Sequence, residues 1–247
     1  MQVIEQSEIE AIRRVYSKRE PPGCDAWSPL DNEVELHHRI RLTLEACRAL
    51  RTITKPTNDL MVLDVGCGVG RSSRLFVELG VVPGNILGID IRESAIEFAR
   101  RINPAIRYKA LRDLADWPSQ RFDLCVQCTV FSSIPGTELR QTTAKLMEQS
   151  VGREGYIFWW DILNANGFAG GDRLDPFRFF PNRKVLYSRE VSLLPELSDA
   201  IRPLRGIGRV LTALLKPCGH EATHIVALFG PEAQRSRSVP PPPRNAP

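Results

Sequence analysis

Val62-Leu63-Asp64-Val65-Gly66-Cys67-Gly68-Val69-Gly70 decides the fold. Leu60 to Val65 is a short apolar run, as expected of a strand covered on both faces. The three alternating glycines let the chain turn sharply and approach a ligand that any Cβ would push away. A helix over about Arg71 to Leu79 follows and aims its positive end at whatever lies over the loop. That geometry suits a nucleotide-like molecule above the carboxyl edge of a parallel sheet.

Spacing separates two kinds of nucleotide site. A dinucleotide fingerprint is G-x-G-x-x-G, whereas this loop is G-x-G-x-G with Asp64 just ahead of it. A second strand, Asn85 to Asp90, ends in a carboxylate about 20 residues past the glycines, where a ribose diol is held in both classes.

The pattern Asp64-x-Gly66-x-Gly68-x-Gly70 resembles the first motif of the class I S-adenosylmethionine-dependent methyltransferases. The likeness continues in order down the chain, over about residues 62–162. Asp113-Leu114, five residues before Pro118, resembles the third-strand segment whose acid faces the adenine amine. Phe122-Asp123 through Gln127 to Val130 resembles the fourth strand, which ends beneath the cofactor, and Gly155 to Asp161 resembles the fifth. The resemblance implies S-adenosyl-L-methionine as cofactor, held by Asp64, Gly66, Cys67, Gly68, Gly70, Asp90, Ile91, Asp113, Leu114 and Gln127. It also implies a Rossmann-like α/β fold: a doubly wound, seven-stranded, mainly parallel sheet whose last strand, Thr223 to Phe229, is antiparallel.

Composition agrees with one α/β domain and small additions. The 247 residues suffice for a full core, and 43% hydrophobic with 25% charged residues is ordinary for a globular protein. A net charge of +4 is mild for a nucleic-acid binder, and the chain lacks an Asn/Asp-Pro-Pro-Tyr/Phe motif after the fourth strand, so no nucleic-acid partner is expected. No apolar run approaches the roughly 20 residues that span a bilayer, and Met1 to Glu10 is too acidic and polar for a targeting segment. The expected location is cytoplasmic, with no membrane association. Cys125-x-x-Cys128 falls inside a strand, without the helix start a redox dithiol needs or the second pair a zinc site needs, so the cysteines read as core thiols and no metal is expected. The sequence leaves the oligomeric state open.

Three regions are expected: an N-terminal helical arm (1–55), the cofactor-binding domain (56–232) with a lid-like insertion at 163–187, and a disordered Pro-rich tail (233–247). Ser7 and Glu10 form a capping-box pattern for a helix from about Glu8 to Lys18, with Ile9, Ile12 and Tyr16 on one face. In a second helix, ending near Leu50, the apolar stripe Leu36, Ile40, Leu44, Cys47 is expected to face inward with His37 at its edge and His38 nearly opposite.

The acceptor pocket is expected between the arm and the insertion, lined by Tyr16, Trp160 and Phe168, with His37 and Asp161 as candidate catalytic groups. His224, on the predicted last strand, has no assigned role. The reaction expected is methyl transfer to a small molecule, with O-methylation of a saccharide or natural-product hydroxyl ahead of N- or C-methylation. A nicotinamide-dependent oxidoreductase is disfavoured by the loop spacing and by the lack of a Tyr-x-x-x-Lys pair. A non-catalytic S-adenosylmethionine-binding accessory protein is the alternative from a different class.

Overall fold

The structure is a computed structural model and describes residues 2–19, 33–163, 173–192 and 222–232. Seven strands form one sheet in the order β3-β2-β1-β4-β5-β7-β6. Strands β1 (Val62–Val65), β2 (Ile86–Asp90), β3 (Arg107–Ala110), β4 (Leu124–Cys128) and β5 (Tyr156–Ile162) are parallel. β7 (His224–Glu232) runs antiparallel between β5 and β6 (Arg183–Val191). The chain steps outward from β1 to β3 on one side, then returns to add β4 on the other. The crevice above β1 and β4 is therefore the switch point where ligands bind in such sheets.

Alternation along the strands divides the core by sheet face. Val62, Val126, Phe158 and Trp160 pack with α2 (Glu33–Leu50), α3 (Arg71–Glu78) and α4 (Glu93–Ile102) on one side. Leu63, Cys125, Ile157 and Trp159 pack with α5 (Thr137–Val151) on the other. The expected Rossmann-like sheet with an antiparallel last strand is the one observed.

Several local expectations need correction. The first helix, α1, spans Gln2–Arg19, so Ser7 lies inside it and does not cap it. Its inward face is the one expected: Ile9 and Ile12 pack on Ile134 and Leu139, with Tyr16 beside them. On α2 the apolar stripe faces outward: Leu36, Ile40 and Leu44 are 42%, 57% and 40% exposed. Leu42, Glu45, Ala46 and Ala49 are buried instead. Glu45 is satisfied inside by the Tyr187 hydroxyl and by Arg48 at 2.7 Å, which ties α2 to β6. Small and polar residues with distant partners thus set this helix's rotation.

The described part of the lid-like segment is also part of the fold. Residues from Arg183 onward are β6, and the one-turn helix α6 (Pro176–Phe179) sends its aromatics into the core. Phe179 stacks on Trp159 at 5.7 Å and meets Phe131 at 5.0 Å, while Phe180 contacts Phe229 at 5.1 Å. The rest of the insertion, including Phe168, and the tail at 233–247 lie outside the described residues.

Candidate active site

The glycine loop bridges β1 and α3 with all three glycines in the left-handed region: φ is 63° at Gly66, 54° at Gly68 and 79° at Gly70. A Cβ on Gly66 would lie 2.5 Å from Val130 Cγ2, so alanine there meets both backbone strain and a packed neighbour. Cys67 N donates to Ile89 O at 3.0 Å and Gly70 N to Cys67 O at 2.8 Å, which closes the loop onto β2. No side chain caps α3 at Gly70, leaving its first N–H groups facing the crevice.

Asp64 is buried beneath this loop. The Ser72 and Ser73 hydroxyls donate to its Oδ2 at 2.7 and 2.5 Å, whereas Oδ1 has no partner. Burial pushes its pKa up to about 6 against the pull of the two serines. A carboxylate with one oxygen unanswered fits a cationic amine arriving over the loop. Asp90 closes the far side: its Oδ2 accepts from Gly68 N at 2.9 Å, and its Oδ1 from Arg92 N and Nε at 2.9 and 3.2 Å. Carboxylate lone pairs remain for a diol.

From this centre a cavity of about 640 Å³ extends in two arms. One is apolar, lined by Ile12, Ile91, Leu111, Leu114, Ile134 and Leu139, and suits a purine ring. α1 forms its outer wall. Arg13 fastens that helix by donating to the carbonyls of Ile91, Leu111 and Arg112 at 3.0, 3.1 and 2.8 Å. Tyr16 adds a bond to Ser133 Oγ at 2.7 Å and lies under the Arg92 guanidinium at 4.5 Å.

The second arm is polar and runs between α2, α3 and the carboxyl ends of β4 and β5. His38, Arg39, Thr43, Arg71, Arg74 and Glu78 line it, with Cys128, Thr129, Ile162 and His224 along the sheet edge. Trp160 Nε1 donates to His38 Nε2 at 2.7 Å, and the His38, Trp160 and His224 rings lie 5.2 to 5.5 Å apart. His224 Nδ1 sits 3.0 Å from Thr223 Oγ1. Burial, and then the charge of His38, lower the His224 pKa to about 3, so this ring is neutral near pH 7. Burial raises the Cys128 thiol well above its ordinary value, which keeps it protonated and a poor nucleophile. Thr129, the residue after β4, holds a φ of 59°, a strained turn for a β-branched residue.

Of the residues expected from sequence, Tyr16, Gly66, Cys67, Gly68, Asp90, Ile91 and Leu114 line the cavity. Asp64 and Gly70 support the loop from behind. Trp160 is buried behind His38, which it orients. Gln127 is buried, its Oε1 accepting from Val130 N at 3.0 Å, so it shapes the turn after β4. Asp113 caps a turn by accepting from Ala115 N at 2.9 Å and is not in the cavity wall.

Two catalytic expectations are corrected. The rotation of α2 carries His38 into the cavity and leaves His37 off its wall. Asp161 is fully buried, and its Oδ2 accepts from Phe131 N at 2.9 Å and Ser132 N at 3.4 Å, holding the turn at Phe131–Ser133 rather than an acceptor. Sequence reading missed the arginines of the polar arm. The 71, 74, 78 spacing, one face of α3, was the available signal.

Residues 62–149 match a family described as "Methyltransferase domain". Solved structures of like fold include the N-methyltransferase NodS from Bradyrhizobium japonicum WM9 in complex with S-adenosyl-L-homocysteine. It is 15% identical over 89% of this chain and 98% of that chain, with a TM-score of 0.64. Magnesium protoporphyrin IX methyltransferase (ChlM) from Synechocystis PCC 6803, with bound SAM, is 14% identical over 81% and 84%, at 0.55. An S-adenosylmethionine-dependent methyltransferase from Mesorhizobium loti is 16% identical over 74% and 96%, at 0.53. No curated protein sequence matches the chain significantly.

Proposed function

We propose that this chain, a class I S-adenosylmethionine-dependent methyltransferase, methylates a small-molecule acceptor whose reacting atom lies against His38 and His224 at the ends of β4 and β5. When bound, S-adenosylmethionine supplies an electrophilic methyl group, so the protein's task is alignment and exclusion of water. Asp90 takes the ribose hydroxyls, the apolar arm the adenine, and Asp64 the ammonium of the methionyl end. The acceptor enters by the polar arm.

The Trp160–His38 hydrogen bond carries the choice of acceptor atom. An indole N–H only donates, so His38 Nε2 must accept, and a neutral His38 then carries its proton on Nδ1. His38 is therefore a donor that orients the acceptor. His224 Nδ1, beside Thr223 Oγ1, takes the proton of its ring and leaves Nε2 as a lone pair. A neutral amine needs no more than this: one N–H held by His224, its lone pair facing the methyl group. An alcohol must lose its proton in the transition state, and a ring with a pKa near 3 is a weak base for that step. An amine is the favoured acceptor, and a saccharide or natural-product hydroxyl becomes the second choice. The N-methyltransferase activity named for NodS agrees with this order.

Incubation with isotope-labelled S-adenosylmethionine and matched panels of small amines, alcohols and thiols, read by mass spectrometry, tests the reading. Label is expected in the amines. Label in the alcohols alone would overturn the choice of atom. Cofactor binding with no turnover on any panel or on host metabolite extract would favour a binding protein over an enzyme of small molecules.

A further inference from the structure

The polar arm holds more positive charge than the cofactor can use. Four arginines line the cavity, Arg39, Arg71, Arg74 and Arg92, against two carboxylates, Glu78 and Asp90. Arg92 is bonded to Asp90 at the centre. The other three share the arm between α2 and α3, where Glu78 is the one acid among the lining residues. Arg71, Arg74 and Glu78 fall on one face of α3, and at 1.5 Å per residue the row is about 10 Å long. Arg39 faces that row from α2, close enough that its charge disfavours the protonated form of Arg74, on top of the larger effect of burial. Two like charges held together in a partly buried groove repel, and an anion bound between them relieves that repulsion.

The cofactor brings a single carboxylate, at the methionyl end beside the glycine loop. Arg71, the first residue of α3, stands at that position. Arg74 lies one turn further along, and Arg39 is next in sequence to His38. We propose that Arg39 and Arg74 bind an anionic group on the acceptor, a carboxylate or a phosphate monoester. The acceptor is then a small acidic metabolite, anchored by its acid between α2 and α3 while its reacting atom meets His38 and His224. Thr43, one turn after Arg39 on α2, offers a hydroxyl to the same group. This inference rests on the methyl-transfer reading above.

Calorimetry on the full chain saturated with S-adenosylhomocysteine tests it, using benzoate, phenyl phosphate and the neutral analogue benzamide as probes. At least one anion is expected to bind about tenfold tighter than benzamide, as for a charge-assisted hydrogen-bonded pair. Whichever anion gains identifies carboxylate or phosphate. Arg39→Gln and Arg74→Gln, on different helices, should each abolish the preference, and Arg74→Lys should keep part of it. Equal binding of acid and amide to the wild type overturns the proposal, as does a preference that survives both glutamine variants. Variants that lose S-adenosylhomocysteine rather than the anion would assign these arginines to the cofactor and overturn it too. Failure of the wild type to bind S-adenosylhomocysteine would instead count against the underlying methyl-transfer reading.

Discussion

At the scale of single residues, the site separates carboxylates that meet ligand from carboxylates that hold the protein together. Asp90 lines the cavity, whereas Asp161, at a strand end that sequence logic favours for chemistry, points into the protein. Its work is to satisfy the Phe131 and Ser132 amides after β4, and its own Oδ1 accepts from Ile162 N at 2.8 Å. Asp161→Ala strands those amides, at a cost of roughly 2–4 kcal/mol, and should lower the melting temperature by several degrees. Asp161→Asn keeps an acceptor oxygen and should retain most turnover with labelled cofactor. A folded Asp161→Asn protein without turnover would return this residue to the chemistry. The sequence placed Asp161 at its strand end, but the direction of its side chain depends on the turn at Phe131–Ser133, which comes from another strand.

At the scale of elements, β1, its glycine loop and α3 were legible because their signals are local: an apolar run, positive-φ glycines, a helix start. α2 was legible as a helix and misread in orientation. Its buried face carries Glu45, Ala46, Ala49 and His38, whose partners Tyr187 and Trp160 lie more than a hundred residues away in sequence. Hydrophobic periodicity contains no trace of them. β6 was hidden for a similar reason, since its residues alternate poorly and its register with β7 shifts twice, near Arg183, Val185 and Tyr187. α1 is the element whose attachment matters most to cofactor retention. Arg13 ties it to three carbonyls that follow β2 and β3, on the rim of the apolar arm. Arg13→Ala should weaken S-adenosylhomocysteine binding about tenfold, mostly through faster dissociation, measurable by stopped-flow fluorescence. An unchanged dissociation rate would mean that α1 does not close over the ligand.

At the scale of the whole molecule, the sheet brings together groups with opposing pH dependence. Asp64 and Asp161 both have pKa values raised from 3.8 to about 6 by burial. Their folded forms hold protons more tightly than the unfolded chain, so the stability they contribute is full below the ordinary carboxylate value and is lost as pH rises through about 6. His224 acts in the other direction. Its folded pKa of about 3 lies below the ordinary 6.5, so the unfolded chain takes up a proton that the folded ring refuses. Stability from this residue is present above 6.5 and declines as pH falls toward 3. A wild-type melt mixes the two trends, but the difference between wild type and His224→Gln cancels the aspartates. Urea unfolding at stepped pH should show the wild type losing ground to the variant below about 6.5, by about 1.4 kcal/mol per pH unit at most. A flat difference would mean that His224 protonates freely in the folded protein. The lone pair assigned to hold an acceptor amine would then be occupied by a proton, and the order of acceptors, amine before alcohol, would fall with it.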